Sequence, residues 1–151
     1  MTKTIDKIKF YTPAYRDKES AHIPDLQSYK EIYDSSVKDP EGFWSEQALR
    51  LNWIKKWGTI SNCDFEKAQV NWFNGGKLNV SYNCLDRHVE AGFGGQTALV
   101  WEGNDPVEDK SYSYSELLSE VCQFANVLKS HGVEKGDRIC IYLQMIPELA
   151  I

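Results

Sequence analysis

The chain has 151 residues, 42% of them hydrophobic and 26% charged, which is enough for one domain of ordinary size with a packed core. Its 17 basic and 22 acidic residues leave a net charge of −5, and neither sign gathers into a block, which argues against nucleic acid as a partner. No apolar run approaches the roughly 18 residues that cross a bilayer, and residues 1–24 lack the apolar stretch of a signal peptide, so a soluble, cytoplasmic protein without a membrane partner is expected.

Residues 1–24 mix charges and tyrosines and read as an extended leader. After Pro24, Leu26, Tyr29, Ile32, Tyr33 and Val37 recur at helical spacing and predict a first amphipathic helix. Asp39-Pro40-Glu41 is a helix start, because the Asp oxygen can accept orphan N–H groups and Pro fits the first turn; a second helix is predicted from Pro40 to about Trp53. Phe43, Trp44, Leu51, Trp53 and the following Trp57 concentrate aromatic area that must pack against something. Val70, Trp72 and Phe73, the turn Asn74-Gly75-Gly76 and then Lys77 and Leu78 predict a short extended stretch or hairpin. Asn79 is expected to cap a helix that buries Val80, Cys84, Leu85, His88 and Val89 and ends at a left-handed Gly92.

From Thr97 the texture changes. Residues 97–103 predict a strand, 103–109 a polar turn, and 111–132 a strand end running into a long helix. Ser113 and Glu116 form a capping box, Leu117, Leu118, Val121, Cys122, Ala125 and Leu128 an inner stripe, and Gly132 the stop. Residues 138–143 are apolar enough for a central strand of a parallel sheet, and Pro147-Glu148 opens another helix. The fold class expected is therefore α/β: a helical N-terminal wrap, then the start of a wound sheet with too few strands to cover both faces. Such a chain is expected to be incomplete, and inert by itself.

No side-chain constellation identifies a reaction. Gly92-Phe93-Gly94-Gly95 is followed by Gln96 and a strand, whereas a phosphate loop needs Gly-Lys-Ser/Thr entering a helix, so a plain turn is expected. Asp86, Arg87 and His88 are neighbours on a helix, projecting about 100° apart, and a surface pair of Asp86 with Arg87 is expected. Cys84 and His88 lie four apart but have no second ligand pair, and Cys63, Cys84, Cys122 and Cys140 read as reduced, partly buried thiols. The tryptophans read as the domain's own packing, and Lys55-Lys56 as a solvated edge.

Taken in order, several stretches resemble the start of acetyl-CoA synthetase, the AMP-forming acetate:CoA ligase family. They are Tyr33 with Asp39-Pro40-Glu41-Gly42-Phe43-Trp44, Trp53, Trp72-Phe73 through Leu78-Asn79, Asn83-Cys84-Leu85-Asp86-Arg87-His88 and Trp101-Glu102-Gly103. The likeness continues through Ser113-Tyr114-Ser115-Glu116-Leu117, Val121-Cys122, Phe124-Ala125-Asn126 and Lys135-Gly136-Asp137 to Tyr142 and Pro147-Glu148, covering 25–151. The resemblance implies an ATP-dependent ligase that forms acetyl-adenylate with Mg²⁺ and passes the acetyl group to CoA. It divides the chain into a leader at 1–24, a helical cap at 25–92 and the beginning of the AMP-binding large domain at 93–151. The family's phosphate loop, adenine segment, acetate pocket and catalytic lysine have no counterpart in these residues, so no catalytic, cofactor-binding or metal-binding residue is carried over. ATP, CoA, Mg²⁺ and acetate are expected for the full-length parent and none bound by this chain, whose partner would be the rest of the synthetase. A ligase for propionate and a free-standing interaction module are the rival readings, with a nucleotide-binding fragment behind them.

Overall fold

The computed structural model describes residues 21–105 and 107–151, and the expected leader at 1–24 lies almost entirely outside them. The chain separates into two compact units, residues 1–50 and 51–151.

In the first unit, helix α1 (Leu26–Lys38) is capped by Asp25, whose Oδ1 accepts the Ser28 N–H at 2.7 Å. Helix α2 (Pro40–Ala48) starts where the sequence predicted, with Asp39 Oδ1 accepting from Gly42 N at 3.0 Å and Pro40 in the first turn. It ends earlier than predicted. The N–H groups of Leu49 and Arg50 turn to the carbonyls three residues back, Glu46 and Gln47, a tightened last turn that closes the helix. Trp53 therefore belongs to a strand, not to α2.

The second unit opens with a nested antiparallel arrangement. Strand β1 (Trp53–Lys55) pairs with β4 (Lys77–Leu78), and between them β2 (Thr59–Asp64) pairs with β3 (Gln69–Asn74). The extended stretch at 70–78 was legible, but its two halves join different sheets and do not pair with each other across Asn74-Gly75-Gly76. The β2–β3 turn is set by Asp64, whose Oδ1 accepts from Glu66 N and Lys67 N while Oδ2 takes the Lys67 ammonium at 2.7 Å. Phe73 holds a left-handed φ of +51°, uncommon for an aromatic residue, with its ring 5.5 Å from Trp53 and 5.3 Å from Trp57. Gly76 is required beside them, because a Cβ there would lie 2.7 Å from the Trp53 ring.

Asn79 caps α3 (Val80–Cys84) through Oδ1, which accepts Tyr82 N at 3.1 Å. A single turn α4 (Asp86–His88) and a π-helical turn (Val89–Phe93) follow, broken at Gly92 with φ +87°, the left-handed end that was expected. The buried side follows a different register from the one predicted. Leu85 and Asn83 are buried, whereas Val80 and Cys84 are exposed and His88 and Val89 half-buried.

Strand β5 (Thr97–Trp101) pairs antiparallel with β6 (Lys110–Ser113), which runs directly into α5 (Tyr114–Ser130). The capping box is complete: Glu116 N donates to Ser113 Oγ at 3.2 Å and Ser113 N to Glu116 Oε2 at 2.8 Å. Leu117 is buried on the inner stripe, Leu118, Val121, Ala125 and Leu128 are half-buried, and Cys122 is exposed. Gly132 follows with φ +79°, and a four-residue helix α6 (Pro147–Ala150) begins at the predicted Pro147. The expected central strand at 138–143 is absent. That segment has no β partner, and Ile139, Ile141 and Leu143 remain more than half exposed. A strand exists only where another backbone takes up its N–H and C=O groups, so hydrophobicity alone did not make one. Among the described residues the architecture is α/β, helices with three two-stranded antiparallel sheets.

Candidate functional site

The most closely knit group of side chains lies around α3 and α4. Asn83, 9% exposed, sits one turn after the Asn79 cap, and its amide uses both ends. Oδ1 accepts Asn52 N at 2.8 Å and Arg87 Nη1 at 3.2 Å, while Nδ2 donates to Asn52 O at 3.0 Å and Asn79 O at 2.9 Å. The side chain thus treats the Asn52 peptide as a strand neighbour would, bonding its donor and its acceptor together. Arg87 reaches back to this amide. Tyr82 donates to Glu90 Oε2 at 2.6 Å, and that carboxylate raises the phenol above its ordinary pKa, so Tyr82 is held protonated and is no candidate base.

The His88 ring lies 4.9 Å from that of Tyr114, tilted by 36°, and among the described residues no group of three His, Cys, Asp or Glu side chains could hold a metal. Cys84, Cys122 and Cys140 are exposed thiols and only Cys63 is half-buried, so the expected partial burial holds for one of the four.

Gly92-Phe93-Gly94-Gly95 forms a plain turn that closes the π-helical turn and leads into β5, with Gly94 O accepting Ser115 N at 3.0 Å and Phe93 O accepting Gln96 N at 2.9 Å. The N-termini of α1, α2, α3 and α5 are occupied by their own caps, Asp25, Asp39, Asn79 and Ser113 with Glu116, whereas the short α4 and α6 have no side-chain cap. Backbone donors close Asp25 and Glu116: the Ser28 N–H lowers the Asp25 pKa and the Ser113 N–H lowers that of Glu116, keeping both anionic where a phosphate would have to sit.

The tryptophans do pack on one another as expected, but less deeply. Trp53 meets Trp57 edge-on at 4.8 Å with Phe73 beside both, while Trp72 and, in the first unit, Trp44 keep 45% and 43% of their surface exposed. A cavity of about 510 Å³ lies between α5 and the segment after it, walled by Val121, Phe124, Leu128, Ile139, Ile141 and Leu149. Its lining is mostly apolar, with Cys140, Tyr142 and Glu148 as the exceptions, and one wall is a face of α5. Sequence reading missed Asn83 as a structural centre; an Asn at the fourth helical position after an Asn cap was the available signal.

The chain as a whole places it among known proteins. Residues 85–151 match the family described as AMP-binding enzyme, which sets the broad class. Residues 29–84 match the family described as acetyl-coenzyme A synthetase N-terminus. Acetyl-coenzyme A synthetase 2 of Pseudomonas putida is 49% identical over 143 residues, 95% of this chain and 22% of that protein. The acetyl-coenzyme A synthetase of Leptospira biflexa is 56% identical over 83% of the chain, and that of Halorhodospira halophila 47% identical over 97%. The chain belongs to the acetyl-coenzyme A synthetase family of AMP-binding enzymes. It spans about a fifth of the length of the curated relatives it matches. Among the described residues no helix is long and apolar enough to cross a membrane.

Proposed function

We propose that this chain is the N-terminal part of a cytoplasmic acetate–CoA ligase. The parent converts acetate, ATP and CoA to acetyl-CoA, AMP and pyrophosphate through acetyl-adenylate, with Mg²⁺ as its metal. The observation that carries this is the unbroken succession of the two family matches, 29–84 and 85–151, at about half identity to several synthetases. Residues 25–92 form the N-terminal cap, in which the paired strands β1–β4 stand beside the helices, and 93–151 begin the AMP-binding domain, whose wound sheet would be completed by the rest of the parent. The role of these residues is scaffolding. Helices α1, α2, α3 and α5 carry their own side-chain caps, and no described cluster of acids or histidines suits a metal, which supports placing nucleotide, CoA and metal contacts elsewhere in the parent. The exposed apolar side chains of Ile139, Ile141, Leu143 and Met145 support the rest of the synthetase as this chain's partner, since burying each contributes about 1.5–3 kcal/mol.

The test is acetate-dependent AMP formation by the longer polypeptide that carries this chain at its N-terminus, assayed beside the 151-residue chain alone. Activity confined to the longer protein, with acetate preferred to propionate, is expected. A higher kcat/KM on propionate would reassign the substrate, and turnover by the short chain would overturn the scaffolding role.

A further inference from the structure

The chain has eight asparagines, and only Asn74 is followed by glycine. Asn74 ends β3 as an exposed residue, and Gly75 begins the turn with φ +74° and nothing within 4 Å of where a Cβ would stand. The turn's hydrogen bonds run from Gly76 N to Phe73 O and from Gly58 N to Asn74 O, both 2.9 Å; none of the backbone hydrogen bonds uses the Gly75 N–H. A primary amide, an uncrowded backbone nitrogen one residue on and open solvent therefore meet at one place.

We infer that Asn74-Gly75 is a self-modification site, where the folded chain converts asparagine to aspartate and isoaspartate. The Gly75 nitrogen attacks Asn74 Cγ and loses its proton. The Cγ–Nδ2 bond breaks and the amide nitrogen leaves with that proton as ammonia, giving a five-membered succinimide. Water then opens the ring: breaking N–Cγ yields aspartate, and breaking the bond from N to the backbone carbonyl yields isoaspartate, whose main chain now runs through Cβ. Glycine matters twice, since it lacks a side chain to crowd the attack and lets the turn rotate. The Gly58–Asn74 bond must open first, and it lies at the end of the ladder beside the last pair, Thr59 with Asn74, where local opening costs least.

The added backbone atom falls next to Phe73, whose left-handed conformation and ring contacts hold Trp53 and Trp57. The modification therefore loosens that aromatic cluster. Incubation of the folded chain in mildly alkaline buffer, followed by peptide mapping, should show the Asn74 peptide gaining about 1 Da, loss of NH₃ against gain of H₂O, before any other asparagine changes. Enzymatic methylation of isoaspartate should label that same peptide, and the tryptophan emission should shift as label accumulates. Asn74→Gln should abolish the early mass change, while Asn74→Asp measured before incubation, when the charge is present and the backbone has not yet cyclised, should leave the emission in place. An intact Asn74 in the folded chain that is modified only in denaturant would overturn the proposal. An equal emission shift in Asn74→Asp would overturn its backbone part.

Discussion

Two stretches of the second unit end differently, and against the order of their apolar content: 7 of 9 residues in 138–146 are hydrophobic, 15 of 34 in 52–85. In 52–85 every extended segment has found a partner: β1 lies on β4, β2 on β3, and the Asn52 peptide is held by the Asn83 amide. In 138–146 the chain carries Ile139, Ile141, Leu143 and Met145, yet its ties to the fold are the Trp101 Nε1 bond to Met145 O at 2.6 Å and a loose Lys110–Glu148 pair at 4.0 Å nearby. Tyr142 is 98% exposed. The difference teaches that apolar side chains supply the reason to fold, while the backbone partner decides whether a segment becomes a strand.

The sharpest way to break this comparison is to empty the well-partnered side. Leu85→Ala removes a side chain only 7% exposed and should cost about 2–4 kcal/mol, read as a lower urea midpoint with unchanged slope. Asn83→Ala should cost about 2 kcal/mol by stranding the Asn52 and Asn79 groups it bonds, with the tryptophan signal of β1 reporting the loss. If Asn83→Ala left stability unchanged, the amide would be an ornament of the loop and the contrast would collapse.

Smaller effects test the capped helix α5, one wall of the cavity that Ile139 and Ile141 line. Ser113→Ala should cost about 1 kcal/mol of α5 stability, seen in far-UV circular dichroism during melting. The same box predicts acid sensitivity. The Glu116 pKa is lowered from 4.5 in the folded chain, so its contribution is present above that value and is lost as pH falls through the lower folded one. Helicity at α5 should therefore fade on acidification, and Glu116→Gln should flatten that dependence. Smallest of all is Ile141→Ser, expected to change the stability of this chain by less than about 0.5 kcal/mol because the side chain is already 63% exposed. The same substitution in the longer synthetase should cost several times more if the segment is covered there.

How much was legible follows the same physics. The caps at Asp39, Asn79 and Ser113 were readable because a capping oxygen and its N–H groups lie within three residues of each other. Gly92 and Pro147 were readable because backbone sterics act locally. The end of α2 was not, since Asn52 is claimed by a side chain 31 positions away. Strand β2 was missed because its alternation is faint, although the Asp64 turn that closes it carries a local signal. The segment at 138–143 was misread because periodicity reports burial and is silent about pairing. For the site, the family likeness was legible in ordered motifs.

The nesting of the two hairpins bears on the order of folding. Leu78 is 25 positions after Trp53, a span whose closure carries an entropic cost that grows with its length. Once β2 and β3 have zipped from the Asp64 turn to the Thr59–Asn74 pair, only three residues before that pair and two after it separate β1 from β4. The inner hairpin thus brings the outer strands together, saving about 1 kcal/mol of loop closure. Substitutions in the Asp64 turn should therefore slow folding, whereas those at Asn83, which locks the outer pair afterwards, should mainly hasten unfolding.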